Sequence, residues 1–497
     1  MKKSIYLLLI FSLILQYGCS EKSLEELSVD PNNPTSVTPT LLLTAAQVDI
    51  LGGFGYNWDR YAGAFVQTFA GNHATGVNAD QYNLRSADFQ GLYTSSYVNG
   101  LKDCYEIINT SGPAAEAWEH VGVAKIIMAT GLGAITDVYG DIPYSEAFNI
   151  SEFLNPSFDP QADIYTAINT LLTEAIQDLN TTSVLSLEGD LVHDNDVDKW
   201  KATAYLLLAR YSNHLSKIDP QGSATAALGY VDMAKAAGMN SNDWNYSMKF
   251  DDQDPNWRNP WYELFENNLI IASENFMDML ISTDSGTWDP RLFSYWNSRN
   301  IEGTFVDIVG KQNGLPTGNS SFSPVGPQGY YGKIESPELI ATYFELLFIE
   351  AEAALRANQP DRAATALNEA ITSQINLVAN AGVDHVAEYF DIDSATAQDA
   401  VDTRVASYLA TYANETAGTV TIEKIMTEKY KAMFTMNLET WVDVRRHNYQ
   451  YPSYLALPAN SILPQFIRRG LYPQSEIDNN SSTPSASMTD RLWWDAN

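Results

Sequence analysis

A mostly α-helical fold of tetratricopeptide-like helix pairs, an α-α superhelix with an irregular, loop-rich face, is what this 497-residue chain predicts. Three observations predict it. Residues 87–110, 115–137, 161–179, 198–216, 337–357, 361–373 and 421–437 carry apolar side chains at three- and four-residue intervals, the period of an amphipathic helix. One stretch reads as helix, short turn, helix, with alanines where the two would touch. The segments around 140–160, 239–262 and 282–335 are rich in Gly, Pro, Asn, Asp and aromatic residues, which makes them long structured loops.

In chain order, Lys2-Lys3, the eleven apolar-rich residues Ile5 to Leu15 and Gln16-Tyr17-Gly18-Cys19 read as a lipoprotein signal. The run is too short to span a bilayer, which takes ~20 residues. Residues 1–18 are therefore expected to be removed, leaving a lipidated Cys19 on a polar tether over 19–40 and a single domain over 41–497. Asp30-Pro31-Asn32-Asn33-Pro34-Thr35 punctuates that tether. In the helix over 115–137, Ala124, Gly131, Gly133 and Ala134 are small enough to admit a close neighbour. The clearest helix pair is expected to start at the cap Ser336 with Pro337 in its first turn, to break at Asn358-Gln359-Pro360 and to restart at Asp361.

Charge narrows the partners. Without the two leader lysines, 27 basic side chains face 61 acidic ones, and a net charge of −34 would repel nucleic acid and anionic lipid. With Cys19 lipidated, Cys104 has no disulfide partner, and its helical surroundings make it a buried inert thiol. The six histidines are scattered and none forms H-E-x-x-H, and Gly310-Lys311 lacks the rest of a phosphate-binding loop. Asp194, Asp196 and Asp198 alternate as in a calcium loop, but Lys199 and Tyr205 stand where that loop needs Gly and Glu. No cofactor is expected, with an irregular structural calcium left open. A glycoside hydrolase would need two carboxylates ~5–9 Å apart. Glu345, Glu350 and Glu352 are instead expected to form the polar side of their helix.

The run Thr136-Asp137-Val138-Tyr139-Gly140-Asp141-Ile142-Pro143-Tyr144-Ser145-Glu146-Ala147 resembles the SusD/RagB family of outer-membrane nutrient-binding lipoproteins, in its SusD-like branch. Collinear matches follow at Asp198-Lys199-Trp200 with Arg210, Trp288-Asp289-Pro290-Arg291-Leu292, Tyr343 to Ala353, Lys429 to Phe434, Trp441 to Arg446, Leu471 to Glu476 and Leu492-Trp493-Trp494-Asp495. The resemblance implies four tetratricopeptide-like helix pairs with a variable ligand face. It also implies a non-catalytic surface lipoprotein that captures an oligosaccharide or a peptide and passes it to a SusC-like TonB-dependent transporter. Arg445 and Arg446 are expected to be structural, and Trp493-Trp494 to dock the C-terminus.

Sugar rings present C–H faces that stack on aromatic rings while polar groups take the hydroxyl rim. Two regions supply both, and by position they are similar to the segments from which family members draw ligand contacts. The first offers Trp58, Tyr61, Tyr82, Arg85 and Tyr93, with His73 and nearby asparagines; the second offers Trp288, Arg291 and Trp296, with Tyr295, Asn297 and Asn300.

Overall fold

The computed structural model describes residues 37–495 apart from 150, 255, 282–287, 298–299, 302–303, 306–307, 317–321, 327–328 and 454. The expected lipidation site Cys19 and the expected leader lie outside the described residues, as does the expected tether up to residue 36. Helix α1 (Pro39–Ala46) opens the body, its first turn capped by Thr38, whose hydroxyl accepts from the Leu41 amide. The tether expected to reach residue 40 therefore gives way to helix two residues earlier.

Nine long helices follow among the described residues: three closely packed pairs, α2 (Trp118–Tyr139) with α3 (Gln161–Asp178), α4 (Val197–His214) with α5 (Pro220–Ala236) and α6 (Tyr343–Arg356) with α7 (Pro360–Val378), then Ser394–Tyr412, and last α8 (Ile422–Ala432) followed by α9 (Asn437–Arg446). Contacts between α3 and α4, α5 and α6, and α6 and α8 chain the pairs into one stack. Helix α2 is apolar and long enough to cross a membrane, yet nearly all of it is buried inside this stack as a core helix. Gly133 shows why small residues were needed there: a Cβ would sit 2.0 Å from the Tyr211 hydroxyl of α4. The helix ends at Gly140, whose φ of +83° an L side chain resists.

Three differences from expectation have physical causes. The helix expected from Ser336 begins instead at Tyr343. Residues Glu338–Ala341 form a strand that pairs antiparallel with Tyr246–Met248, and the true cap is Thr342 in a capping box with Glu345. The window 87–110 is helical as expected, but its helix runs without a break from Gln90 to Ala114 and alternates α-helical with π-helical stretches. Glu345, Glu350 and Glu352 do not form a solvated side. All three are buried, because cationic side chains from neighbouring helices meet them there.

Those pairs bolt the stack together. Arg210 of α4 makes a bidentate contact with Glu345 of α6, at 2.6 and 2.5 Å, and Arg446 of α9 does the same with Glu352, at 2.7 and 2.8 Å. Glu350 holds Lys235 of α5 at 2.6 Å. Arg445 donates to the Asp137 and Arg468 carbonyls, and Trp494 donates its indole N–H to Asp137, so the C-terminus is docked as expected. Cys104 is fully buried and burial pushes its thiol up.

Candidate ligand-binding site

Between α5 and α6 the chain leaves the helix stack for about a hundred residues, and the second predicted region lies in this excursion. Ile281 and Trp288 form an isolated antiparallel bridge, which sets the Trp288 indole edge-on against Phe293 with ring centres 5.0 Å apart. The next residue, Asp289, donates its amide to the Leu280 carbonyl and takes three hydrogen bonds from Arg291, one from the amide and two from the guanidinium. Arg291 also reaches the Tyr408 hydroxyl and, at 3.1 Å, Glu428 of α8. Lys431 completes the cluster through Glu428 and Tyr408 and lies 3.6 Å from Asp289. Two acids and two bases make it neutral. Burial would raise the Asp289 pKa, but Arg291 and Lys431 together hold it below the usual carboxylate value.

Above this floor opens a cleft of about 220 Å³. One wall is Trp288, half-buried; the other is a long helix, Ser394–Tyr412, that presents Arg404, Ser407, Tyr408, Thr411 and Tyr412 on one face at helical spacing. Tyr412 is 47 % exposed and stands 4.4 Å from the Tyr408 ring. Two aromatic faces, two exposed hydroxyls and a guanidinium thus surround a space smaller than the ~300–1,000 Å³ of drug-sized pockets, suited to one ring of an oligomer at a time. Reasoning from sequence missed this helix entirely. Its signal was present in the spacing of residues 404, 408 and 412, within a stretch otherwise rich in alanine and polar residues.

The other sequence candidates are placed differently. Tyr82 and Trp296 have no exposed surface and Arg291 is 1 % exposed, so none of the three can offer a face to a ligand in this conformation. Tyr82 packs edge-on to Phe65, and Trp296 meets Phe69 and Phe434. Arg291 is committed to the ion cluster and acts as its floor. Trp58, Tyr61 and Tyr93 are also core residues: Trp58 and Tyr93 pack against Tyr139, Tyr61 against Phe89. In this structure these six are packing residues rather than exposed faces, since large aromatics and a paired guanidinium are worth more buried than exposed. Of Trp58, Tyr61, Tyr82, Arg85 and Tyr93, only Arg85 projects into solvent, with a long 4.0 Å ion pair to Asp88, and it does not line the Trp288 cleft.

The aspartates of the suspected calcium loop are each engaged elsewhere. Asp196 caps α4, Asp194 pairs with Lys249 at 2.6 Å, and Asp198 pairs with Lys201. Among the described residues no cluster of three or more metal-ligating side chains occurs.

Comparison with known proteins places the whole molecule. A SusD-like family model, described as starch-binding associating with outer membrane, matches residues 31–473. Among solved structures, a chitin-binding protein is 24 % identical with a TM-score of 0.70, covering 93 % of this chain and 100 % of its own. A SusD/RagB family protein from Bacteroides thetaiotaomicron is 22 % identical with a TM-score of 0.69, covering 93 % and 99 %. A Bacteroidetes SusD-like protein is 19 % identical with a TM-score of 0.72, covering 93 % and 100 %. No curated protein matched. The paired-helix scaffold is thus shared across full lengths, and with the family model covering most of the sequence, this chain belongs to the SusD-like family of nutrient-binding proteins associated with the outer membrane.

Proposed function

We propose that this protein is a lipid-tethered receptor on the outer face of the outer membrane that captures an oligosaccharide in the Trp288 cleft and hands it to a SusC-like TonB-dependent transporter without cleaving it. The observation that carries this reading is the cleft itself, with Trp288 and Tyr412 as stacking faces above a neutral, fully paired floor. A pyranose C–H face lies against an indole at little desolvation cost, while Ser407, Thr411 and Arg404 are placed to meet hydroxyls at the rim. The family description and the chitin-binding relative favour a glycan over a peptide.

The same geometry speaks for binding over hydrolysis. A glycosidase needs one carboxyl kept protonated to serve as general acid. Of the two acids under this cleft, Asp289 is held below the usual carboxylate value by Arg291 and Lys431, and Glu428 is tied up in ion pairs with the same two cations. Lipidation at Cys19 would hold the domain at the membrane through the residues that lead to α1, and the body's acidic surface would stay clear of anionic headgroups.

Calorimetry on the soluble form from Ser20 onward, titrated with maltohexaose, chitohexaose and a neutral hexapeptide, tests the reading. Saturable binding of an oligosaccharide with no new reducing ends supports it. Binding of the peptide alone, or release of reducing ends, overturns it. Mass spectrometry of the membrane-extracted protein should find an acylated Cys19 as the first residue.

A further inference from the structure

A second surface carries the same chemistry in a different place. Where α2 ends, residues 141–148 turn back across the first helix pair, and Asp159 pins them: its carboxylate accepts from the Tyr144 amide at 2.8 Å, the Ser145 amide at 2.9 Å and the Ser145 hydroxyl at 2.7 Å. Tyr97 adds a 2.7 Å hydrogen bond to the Pro143 carbonyl. The pinned loop presents Phe148, which stacks on Tyr105 at 5.1 Å with the rings 27° apart, and Tyr144 stands beside them. Facing this aromatic wall, α3 presents Asp163, Thr166, Thr170 and Glu174, all exposed and spaced along one helical face. Between the two walls runs a groove of about 530 Å³, larger than the Trp288 cleft and floored by Met128, Leu171 and Lys125.

We propose that this groove is a second oligosaccharide-binding site, separate from the Trp288 cleft and specific for neutral sugars. Three features set the ligand class. A half-buried aromatic wall opposite a line of hydroxyls and carboxylates matches a ligand with apolar ring faces and a hydroxyl edge. Lys125 is already held by Glu174 at 2.9 Å and Asp178 at 2.7 Å, so no unpaired cation is left to draw in an anion, and the rim acids repel uronic acids and sulfated sugars. Asp163 and Glu174 lie eleven residues apart on one straight helix, about 16 Å along its axis. That length suits an oligomer lying along the helix. Glu174 is 49 % exposed on its side chain and serves as a hydroxyl acceptor at the groove rim.

One methionine lines each site, Met128 here and Met279 in the Trp288 cleft, so methyl-13C-methionine spectra read the two independently. The signals are assigned with Met128→Leu and Met279→Leu in the soluble form from Ser20. Titration with maltohexaose and chitohexaose should move the Met128 methyl saturably, and a galacturonate hexamer should not. The double variant Asn109→Ala/Glu174→Gln, at two exposed positions that line the groove, should weaken that response at least fivefold and leave any Met279 response unchanged. A Met128 signal unmoved by every neutral oligomer at millimolar concentration, moved equally by the galacturonate, or moved only by a peptide overturns the groove as a sugar site. Because Met279 reports separately, a silent Met279 beside a responding Met128 would instead count against the cleft.

Discussion

The helix stack and the excursion between α5 and α6 both bury ion pairs, but to different ends. In the stack, Arg446 and Glu352 have no exposed side-chain surface, and the cavity beside Arg210 and His214 is only about 20 Å³, room for one water. In the excursion, the Asp289, Arg291, Glu428 and Lys431 cluster forms the floor of an open 220 Å³ cleft with Tyr412 nearly half exposed above it. A paired charge sealed on all sides fastens helices. The same chemistry left open on one side gives a rigid, electrically neutral base for a ligand. What marks the binding surface is therefore the uncovered aromatic ring over a satisfied polar floor, not charge or aromaticity alone.

Breaking a fastener should have the largest effect. Glu352→Ala leaves Arg446 with Asp443 as its only anion and should cost about 3–5 kcal/mol of stability, seen as a lower denaturant midpoint. Burial alone would raise the Glu352 pKa, but Arg446 holds it well below the usual range. Oligosaccharide affinity in the surviving folded fraction should not change.

Removing a stacking face should be milder and should fall on binding instead. Trp288→Ala is expected to weaken oligosaccharide affinity by ~1–3 kcal/mol in calorimetry, roughly five- to 150-fold. A stability loss as large as that of Glu352→Ala, with affinity intact, would make Trp288 a core residue and erase the contrast between the two regions.

pH sharpens the comparison from the side of the stack. Burial would lower the His214 pKa, but Glu439 and Asp137 on either side hold it up at about 9, against an ordinary value of 6.5. The folded state thus holds this proton more tightly than the unfolded chain. The stability it brings is full below pH 6.5 and is lost as pH rises through about 9. His214→Gln should flatten that decline, whereas Trp288→Ala should leave it unchanged. The smallest effect belongs to the rim: Ser407→Ala with Thr411→Ala should reduce affinity by about 1 kcal/mol, since each lost hydrogen bond is to solvent-exposed hydroxyls.

Much of the scaffold was legible in the residues. The periodicity of 161–179 and 198–216 located α3 and α4 to within about two residues, because apolar side chains recur at the helical period in both. Ser336 misled because a cap followed by Pro looks the same whether a helix or, as here, a strand pairing with Tyr246–Met248 follows; tertiary pairing decided it. The buried Glu345 and Glu352 were illegible for a related reason. An acid at a polar period reads as solvated unless the distant Arg210 or Arg446 that meets it is known. At the site, Trp288 was recoverable from composition, but its partners on Ser394–Tyr412 come from more than a hundred residues away. Tyr82 and Trp296 show the converse: an aromatic beside asparagines has the composition of a sugar platform whether it faces out or, as here, inward.

The most direct test of the central claim is a crystal structure of the soluble form with a bound neutral hexasaccharide. A sugar ring stacked on the Trp288 indole, with its hydroxyls at Ser407 and Thr411, is the expected result. A ligand held at the Arg85 surface with the Trp288 cleft vacant would contradict it.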